Sequence, residues 1–377
     1  MKEYNIWDLE GVHIKVKKEF IIKLNKRITE IYKVKRNLYK QINLKIPFGV
    51  FKNMLKIGYY DKWFVPLEFL LKICNNLNIP KENLQNSITA YKSWGSVNYI
   101  ESPKLPILVT PVFHMIYAHN IGDGTVSIAK NRFPYFAYRQ FNQFYREAFI
   151  KKLDYIFGKI HYEKKEVIDT TRVRCPSVLS GIFFKHYNLN DRGFLSDTAR
   201  ISERVFEDGK DAMLAVLIGF IIDEGHVDST QVTIVLKNKE LVEDLGLICK
   251  KLGYKFTISY KVGEYTGFVG LNILREGMKK LYSDYLILNR KYRVIDLGIK
   301  GERIANSFKI VERKIKMVKG NKDIIFNILK NEQLSVNQLT ERLLMTRQGV
   351  RFHIHNLLKD NKIKIIDNSQ QNWLYGV

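Results

Sequence analysis

The sequence predicts an α+β protein built around two similar units in tandem, with a basic helical module before them and a small helix-and-hairpin module after. Three observations carry this. Two apolar runs, "MIYAHNIGDGTV" (115–126) and "LIGFIIDEGHV" (217–227), each end in acid and glycine, and each precedes the same order of strand-like and helix-like stretches. A repeated order of elements implies a pseudo-two-fold arrangement within one chain. The last block, from about 321, reads as three short helices and a hairpin.

The bulk properties narrow the function. With 377 residues the chain holds two or three domains and at least one sizeable core, and 46% apolar with 27% charged residues excludes a disordered polymer. The net charge of +24 favours polyanionic partners, nucleic acid or an anionic membrane surface. No stretch approaches the roughly 18 apolar residues of a membrane span, and "MKEYNIWDLE" has no secretory apolar region. Nucleic acid is therefore the expected partner, with no membrane association. Cys74, Cys175 and Cys249 are far apart and form no C-x-x-C pair, which fits a reducing cytoplasm and neither a disulfide framework nor a zinc site.

Along the chain, 1–95 reads as mostly helical. "EFIIKLNKRITEIYKVKRNLYKQI" places Phe20, Leu24, Ile28, Ile31 and Leu38 near helical spacing with Lys and Arg between them. "VPLEFLLKICNNLNIPKENLQNSI" reads as two helices over a turn at Asn78–Pro80, compatible with a helix-turn-helix reader or a plain helical bundle. "GSVNYIESPKLPILVTP", with Pro103, Pro106 and Pro111, is the expected linker. The core then spans 107–295, as repeats of about 107–195 and 196–295. Each repeat opens with an apolar helix (about 111–122 and 211–224), continues into strands and carries a second helix ("REAFIKKLDYIFG", "KELVEDLGLICKKLG"). In "RFPYFAYRQF" the alternation puts one face in the core; Arg132, Arg139 and Gln140 on the other are candidate DNA contacts. From 321 to 377, Ser335 and Thr346 are expected helix caps. Val350, Ile354 and Leu357 face a core; Arg347, Gln348, Arg351 and His355 lie opposite, and a hairpin turns near Asn368–Ser369. The pattern predicts a winged helix, used for protein contact or, as its basic face favours, for DNA binding with Arg347, Gln348 and Arg351 as groove contacts.

The two acid–glycine ends hold the chemistry. A carboxylate in the last helical turn faces the negative end of the macrodipole, at a cost of about 0.3–1 kcal/mol. Asp123 and Glu224 stand where local energetics disfavour them, with Gly124 and Gly225 as the expected C′ residues. Ala118, Gly122 and Gly219 would let the two helices pack face to face, bringing Asp123 and Glu224 together at one end. Paired carboxylates repel unless a cation or a shared proton intervenes. Mg²⁺ takes one or two carboxylates and leaves room for water and phosphate oxygens, the chemistry of phosphodiester hydrolysis.

"IYAHNIGDG" (116–124) and "LIGFIIDEG" (217–225) resemble the paired nine-residue signature of the LAGLIDADG homing endonucleases in their single-chain form, and "TARISERVF" resembles the stretch before the second signature. Ser202 stands where a proline is common, and His119 and Asn120 replace apolar positions of the first signature. The resemblance spans roughly 107–295. It implies two αββαββα halves joined through the signature helices, each laying a curved sheet in the major groove. It also implies Mg²⁺ held by Asp123 and Glu224, and cutting of both strands of a long DNA site. Arg200 is the candidate basic helper by position, with Lys300 a more remote one for the second half; Asp223 is expected to be a bystander.

The expected function is a site-specific, Mg²⁺-dependent double-strand DNA endonuclease, acting as a monomer with internal pseudo-symmetry. The alternative is a non-cleaving DNA-binding regulator on the same scaffold; an RNA-binding or splicing role is compatible with the charge. The absence of an N-terminal Cys/Ser block and of a terminal His-Asn pair argues against an intact intein. His114, His119 and His226 form no His-x₃-His pair, so packing or surface roles are expected for them.

Overall fold

Two helices that are buried on every side run through the centre of the larger unit. In the computed structural model, Val112–Ile121 and Ala212–Ile222 are both continuously buried, within the helices Pro111–Ile121 and Lys210–Glu224. The second helix is apolar all round and the first nearly so, apart from His114, His119 and Asn120, and the two pack on each other inside the protein. The structure describes residues 2–127, 135–190, 192–260, 267–312, 320–343, 345–367 and 373–377, without the side chains of 309–312.

The chain divides into one unit over Met1–Ile304 and another over Ala305–Val377. In the second repeat of the larger unit, the helix Lys210–Glu224 leads into strands Gly225–Val227 and Gln231–Leu236. The helix Lys239–Leu252, strands Phe256–Ser259 and Val269–Leu274, and the helix Arg275–Lys291 follow. The four strands form one antiparallel sheet, pairing in the order first, second, fourth, third. This is the αββαββα order. The first repeat follows it except for a short inserted helix, Lys164–Asp169, and the fate of one strand. Strands Gly124–Ser127, Tyr135–Arg139 and Arg172–Arg174 form its sheet, while Lys159–His161 leaves to pair with Tyr99–Glu101.

The pairing of Lys159–His161 with Tyr99–Glu101 bears on two sequence expectations. The segment read as a linker contributes strands Tyr99–Glu101 and Ile107–Leu108; the second pairs with Glu3–Tyr4. The 1–95 stretch is helical over Lys18–Tyr32, Lys35–Ile42, Phe48–Met54 and Leu67–Asn76, but it also supplies Val12–Val16, Val65–Pro66 and Ile88–Ser93 to a five-stranded sheet. The signal was present: in "VHIKV" Val12, Ile14 and Val16 alternate, and all three are buried. In the helix Lys18–Tyr32 the inner face is Ile21, Leu24 and Ile28; Ile31, expected inside, is exposed. Of the two expected helix-turn-helix elements, the second, Lys81–Gln85, has only five residues before the chain turns to strand.

The smaller unit carries helices Asn321–Asn331, Val336–Leu343 and Arg347–Lys359, with a three-stranded antiparallel sheet of Leu334–Ser335, Leu374–Gly376 and Lys364–Asp367. Ile325, Leu329, Leu339, Val350, Ile354, Leu357, Ile363 and Tyr375 make its core. Thr346 caps the third helix, its Oγ1 accepting from Gly349 N at 3.0 Å. Ser335 and Gln338 form a reciprocal capping pair. The expected turn at Asn368–Ser369 lies outside the described residues.

Candidate active site

Close packing of the two central helices depends on missing side chains. A Cβ on Gly219 would lie 2.7 Å from Ala118 Cβ, and one on Gly122 would lie 2.7 Å from Asp223 Oδ2. A side chain at Gly219 would have to push the helices apart, and one at Gly122 would displace the Asp223 carboxylate. Gly124 and Gly225 have a different reason from the one expected. Gly225 is extended (φ −79°), and Gly124 is not left-handed either. A Cβ there would meet the preceding helical turn, 2.5 Å from Asn120 Cα for Gly124 and 2.5 Å from the Ile221 carbonyl for Gly225. Each helix therefore passes directly into the first strand of its sheet, with the acid at the junction.

Asp123 and Glu224 are both partly buried at this end of the pair. Burial, then the charges of Asp223 and Glu224, push the Asp123 carboxyl up to about 8, with Lys300 and Arg139 opposing. Burial and Asp223 raise Glu224 as well, with Lys300 again opposing. Among the described residues neither acid has an ion-pair partner. The Nε2 of Gln140 donates to Asp123 Oδ2 at 2.7 Å, and Arg139 N–H donates to the Asp123 carbonyl at 2.9 Å. Neighbouring, partly dehydrated carboxyls that no direct ion pair ties down are a fit for a hard divalent cation.

Lys300, the more remote of the two basic candidates, stands in this cluster. Its Nζ donates to the carbonyls of Ile221 and Ile222, at 2.7 and 2.5 Å, at the end of the second helix, where Ile221 also accepts from Gly225 N. Burial holds its ammonium below the ordinary value, against the pull of Asp223, Glu224 and Asp123. Arg200 is placed otherwise. Its guanidinium grips Asp244 bidentately, 2.7 Å on each arm, and Asp244 also accepts from Ile201 N. The expected helper is thus a brace for the segment preceding the second helix.

Asp223 is no idle neighbour. Its side chain is fully buried, and it accepts from Tyr138 Oη at 2.6 Å and from His119 Nδ1 at 2.9 Å. The departure in each signature, His119 in one and Asp223 in the other, is the partner of the other. Behind them Lys152 is entirely buried, and burial pushes it down to about 8.

The outer faces of the two sheets differ. Register puts Thr125, Ser127, Tyr135, Arg139, Arg172 and Arg174 on one face of the first sheet, with Val126, Phe136, Tyr138 and Val173 on the core side. The second presents the row His226, Thr233, Asn272, Thr257, without a Lys or Arg. Arg139 is exposed, as expected; Gln140 is turned to Asp123 instead of outward; Arg132 lies outside the described residues. Arg347, Gln348 and Arg351 are exposed on the third helix of the smaller unit, with Phe352 beside them. No described helix is long and apolar enough to cross a membrane.

No family model matches this chain, and no curated protein does. Among solved structures it is similar to the homing endonuclease I-DmoI in complex with DNA and Ca, at 17% identity over 52% of this chain and 97% of that one, with a TM-score of 0.36. A mesophilic variant of the same endonuclease gives 19% identity, 46% and 94% coverage, and 0.33. Full-length DUF199/WhiA from Thermatoga maritima gives 14% identity, 66% and 90% coverage, and 0.30. These are low-identity likenesses over part of the chain, and the chemistry of the site rests on its own side chains.

Proposed function

We propose that this chain is a site-specific double-strand DNA endonuclease of the LAGLIDADG kind, dependent on a divalent cation such as Mg²⁺. The observation that carries the proposal is the pairing of Asp123 and Glu224 at the tips of two face-packed helices, where burial and the neighbouring acids raise both carboxyls. These two acids would hold the cation, and Gln140 fixes the orientation of Asp123. When bound, the cation supplies Lewis-acid activation of a phosphodiester. Lys300 brings a second positive charge to the same place, where it neutralises charge on a phosphate and offsets the helix end. The sheet face of Arg139, Arg172 and Arg174 supplies phosphate and base-edge contacts, the neutral face of the other sheet reads by hydrogen bonds, and the unlike halves imply a non-palindromic target. Arg347, Gln348 and Arg351 of the winged-helix unit extend the contact.

The test is incubation of the purified protein with a fragmented genomic library in Mg²⁺ and separately in Ca²⁺, followed by end mapping. Discrete ends in Mg²⁺, lost in Asp123→Asn and Glu224→Gln while binding persists, support the proposal. A second reading, a DNA-binding regulator that does not cut, is favoured by the winged-helix unit with its exposed basic helix. Sequence-specific binding without ends in Mg²⁺ would establish that reading instead.

A further inference from the structure

A second cluster of metal-ligating side chains stands at the other end of the first central helix, about 14 Å along its axis from Asp123. His114 comes from the first turn of Pro111–Ile121, His186 from Ser180–Tyr187, and Asp208 from the C-cap of Glu203–Glu207. One donor atom from each lies within 4.8 Å of the others. Asp208 Oδ2 is 3.0 Å from His114 Nε2 and 3.7 Å from His186 Nε2. Both imidazoles are about 99% buried, while Asp208 is 37% exposed.

The remaining imidazole nitrogens are tied back. His114 Nδ1 bonds Tyr187 Oη at 2.9 Å, and His186 Nδ1 bonds Tyr4 Oη at 3.0 Å. Phe113 stands edge-on to His186, ring centroids 5.3 Å apart. Each ring is thereby fixed with its Nε2 turned toward the same carboxylate, the arrangement that orients histidine ligands in metal sites. Neither Nε2 has an aligned hydrogen-bond partner among the described residues. In a metal-free cluster one carboxylate would have to serve two buried nitrogens, and His186 Nε2, 3.7 Å from it, lies beyond hydrogen-bond distance.

We infer that His114, His186 and Asp208 form a transition-metal site of the Zn²⁺ type, with solvent completing the shell beside Asp208. Two imidazoles and one carboxylate suit zinc and its neighbours; calcium and magnesium prefer all-oxygen sets. The ion ties together the start of the first central helix, the last helix of the first repeat and the segment entering the second central helix. Through Tyr4 it also holds the N-terminal strand. It is a structural clasp, independent of the acid pair and of the proposed cleavage.

The experiment uses the full chain without a polyhistidine tag, stripped with chelator and dialysed against ZnCl₂. Metal content and thermal melting are measured, and CoCl₂ loading is followed by visible absorption. One equivalent of zinc is expected, with a rise in Tm of about 5 °C at a hundredfold excess over Kd. His186→Gln and Asp208→Asn should each abolish the bound equivalent and the Tm rise, whereas Asp123→Asn should keep both. Asp208 is partly exposed, so its variant tests the site even if His186→Gln fails to fold. Absence of bound zinc in the wild type, or full zinc retention in Asp208→Asn, would overturn the inference.

Discussion

His119 Nδ1 and Asp223 Oδ2 meet at 2.9 Å across the central helix interface, with Tyr138 Oη on the other oxygen of the carboxylate at 2.6 Å. Burial holds the imidazole below its ordinary value, against the pull of Asp223. Removing one partner leaves the other buried and unsatisfied. His119→Ala or Asp223→Ala should each cost about 2–4 kcal/mol in urea unfolding. An apolar double replacement should recover part of that loss, giving a coupling of about 1 kcal/mol or more in a double-mutant cycle.

Gly219 is the crossing point of the helices, so Gly219→Val should force them apart. The expected loss is about 3 kcal/mol or more of stability, with cleavage lost because the acids would no longer hold one cation between them. Gly58, whose Cβ would meet nothing within 4 Å, should accept alanine with little change. Thermal melting of the two variants checks both.

Lys300 and Arg200 should separate by phenotype. Lys300→Met is expected to slow cleavage about 10²-fold or more with little change in DNA affinity. Arg200→Ala should leave the single-turnover rate within a few-fold and lower stability by about 1–3 kcal/mol through Asp244. Equal rate losses in the two variants would contradict the placement of Lys300.

Lys152 offers a pH test. Its folded pKa is pushed down to about 8 from an ordinary 10.5, so the folded protein binds fewer protons than the unfolded chain between those values. Its contribution to stability is therefore complete above about 10.5 and lost as pH falls through about 8. Lys152→Met should raise stability at pH 7 by about 1–3 kcal/mol and flatten the slope between pH 8 and 10.5. Urea midpoints across that range decide it.

Arg347 and Arg351 are exposed on a helix whose other face is core, so their substitution should leave the fold intact. Each alanine variant should weaken DNA binding and reduce the slope of log K against log salt by about 0.9 if it removes one phosphate contact. Unchanged slopes would place this helix away from the phosphates.

Particular residues show how far the sequence reached. The apolar run 212–222 and the mostly apolar run 112–121 pointed to two buried helices, and small residues at 118, 122 and 219 pointed to their close contact. The acid at each helix end was legible for the same reason: carboxylates are locally unfavourable there. In the smaller unit, caps at Ser335 and Thr346 and the spacing of Val350, Ile354 and Leu357 are local signals, and local signals survive folding. What only the tertiary structure decided is which distant groups meet. Arg200 goes to Asp244, 44 residues away; Lys300 reaches the end of a helix nearly 80 residues before it; Asp223 pairs with His119, 104 residues apart. His114 and His186 likewise share one carboxylate. A sequence fixes the chemical character and the face of each side chain through short-range periodicity, but a partner is chosen by the packing of whole helices and sheets, and that choice appears only when they are assembled.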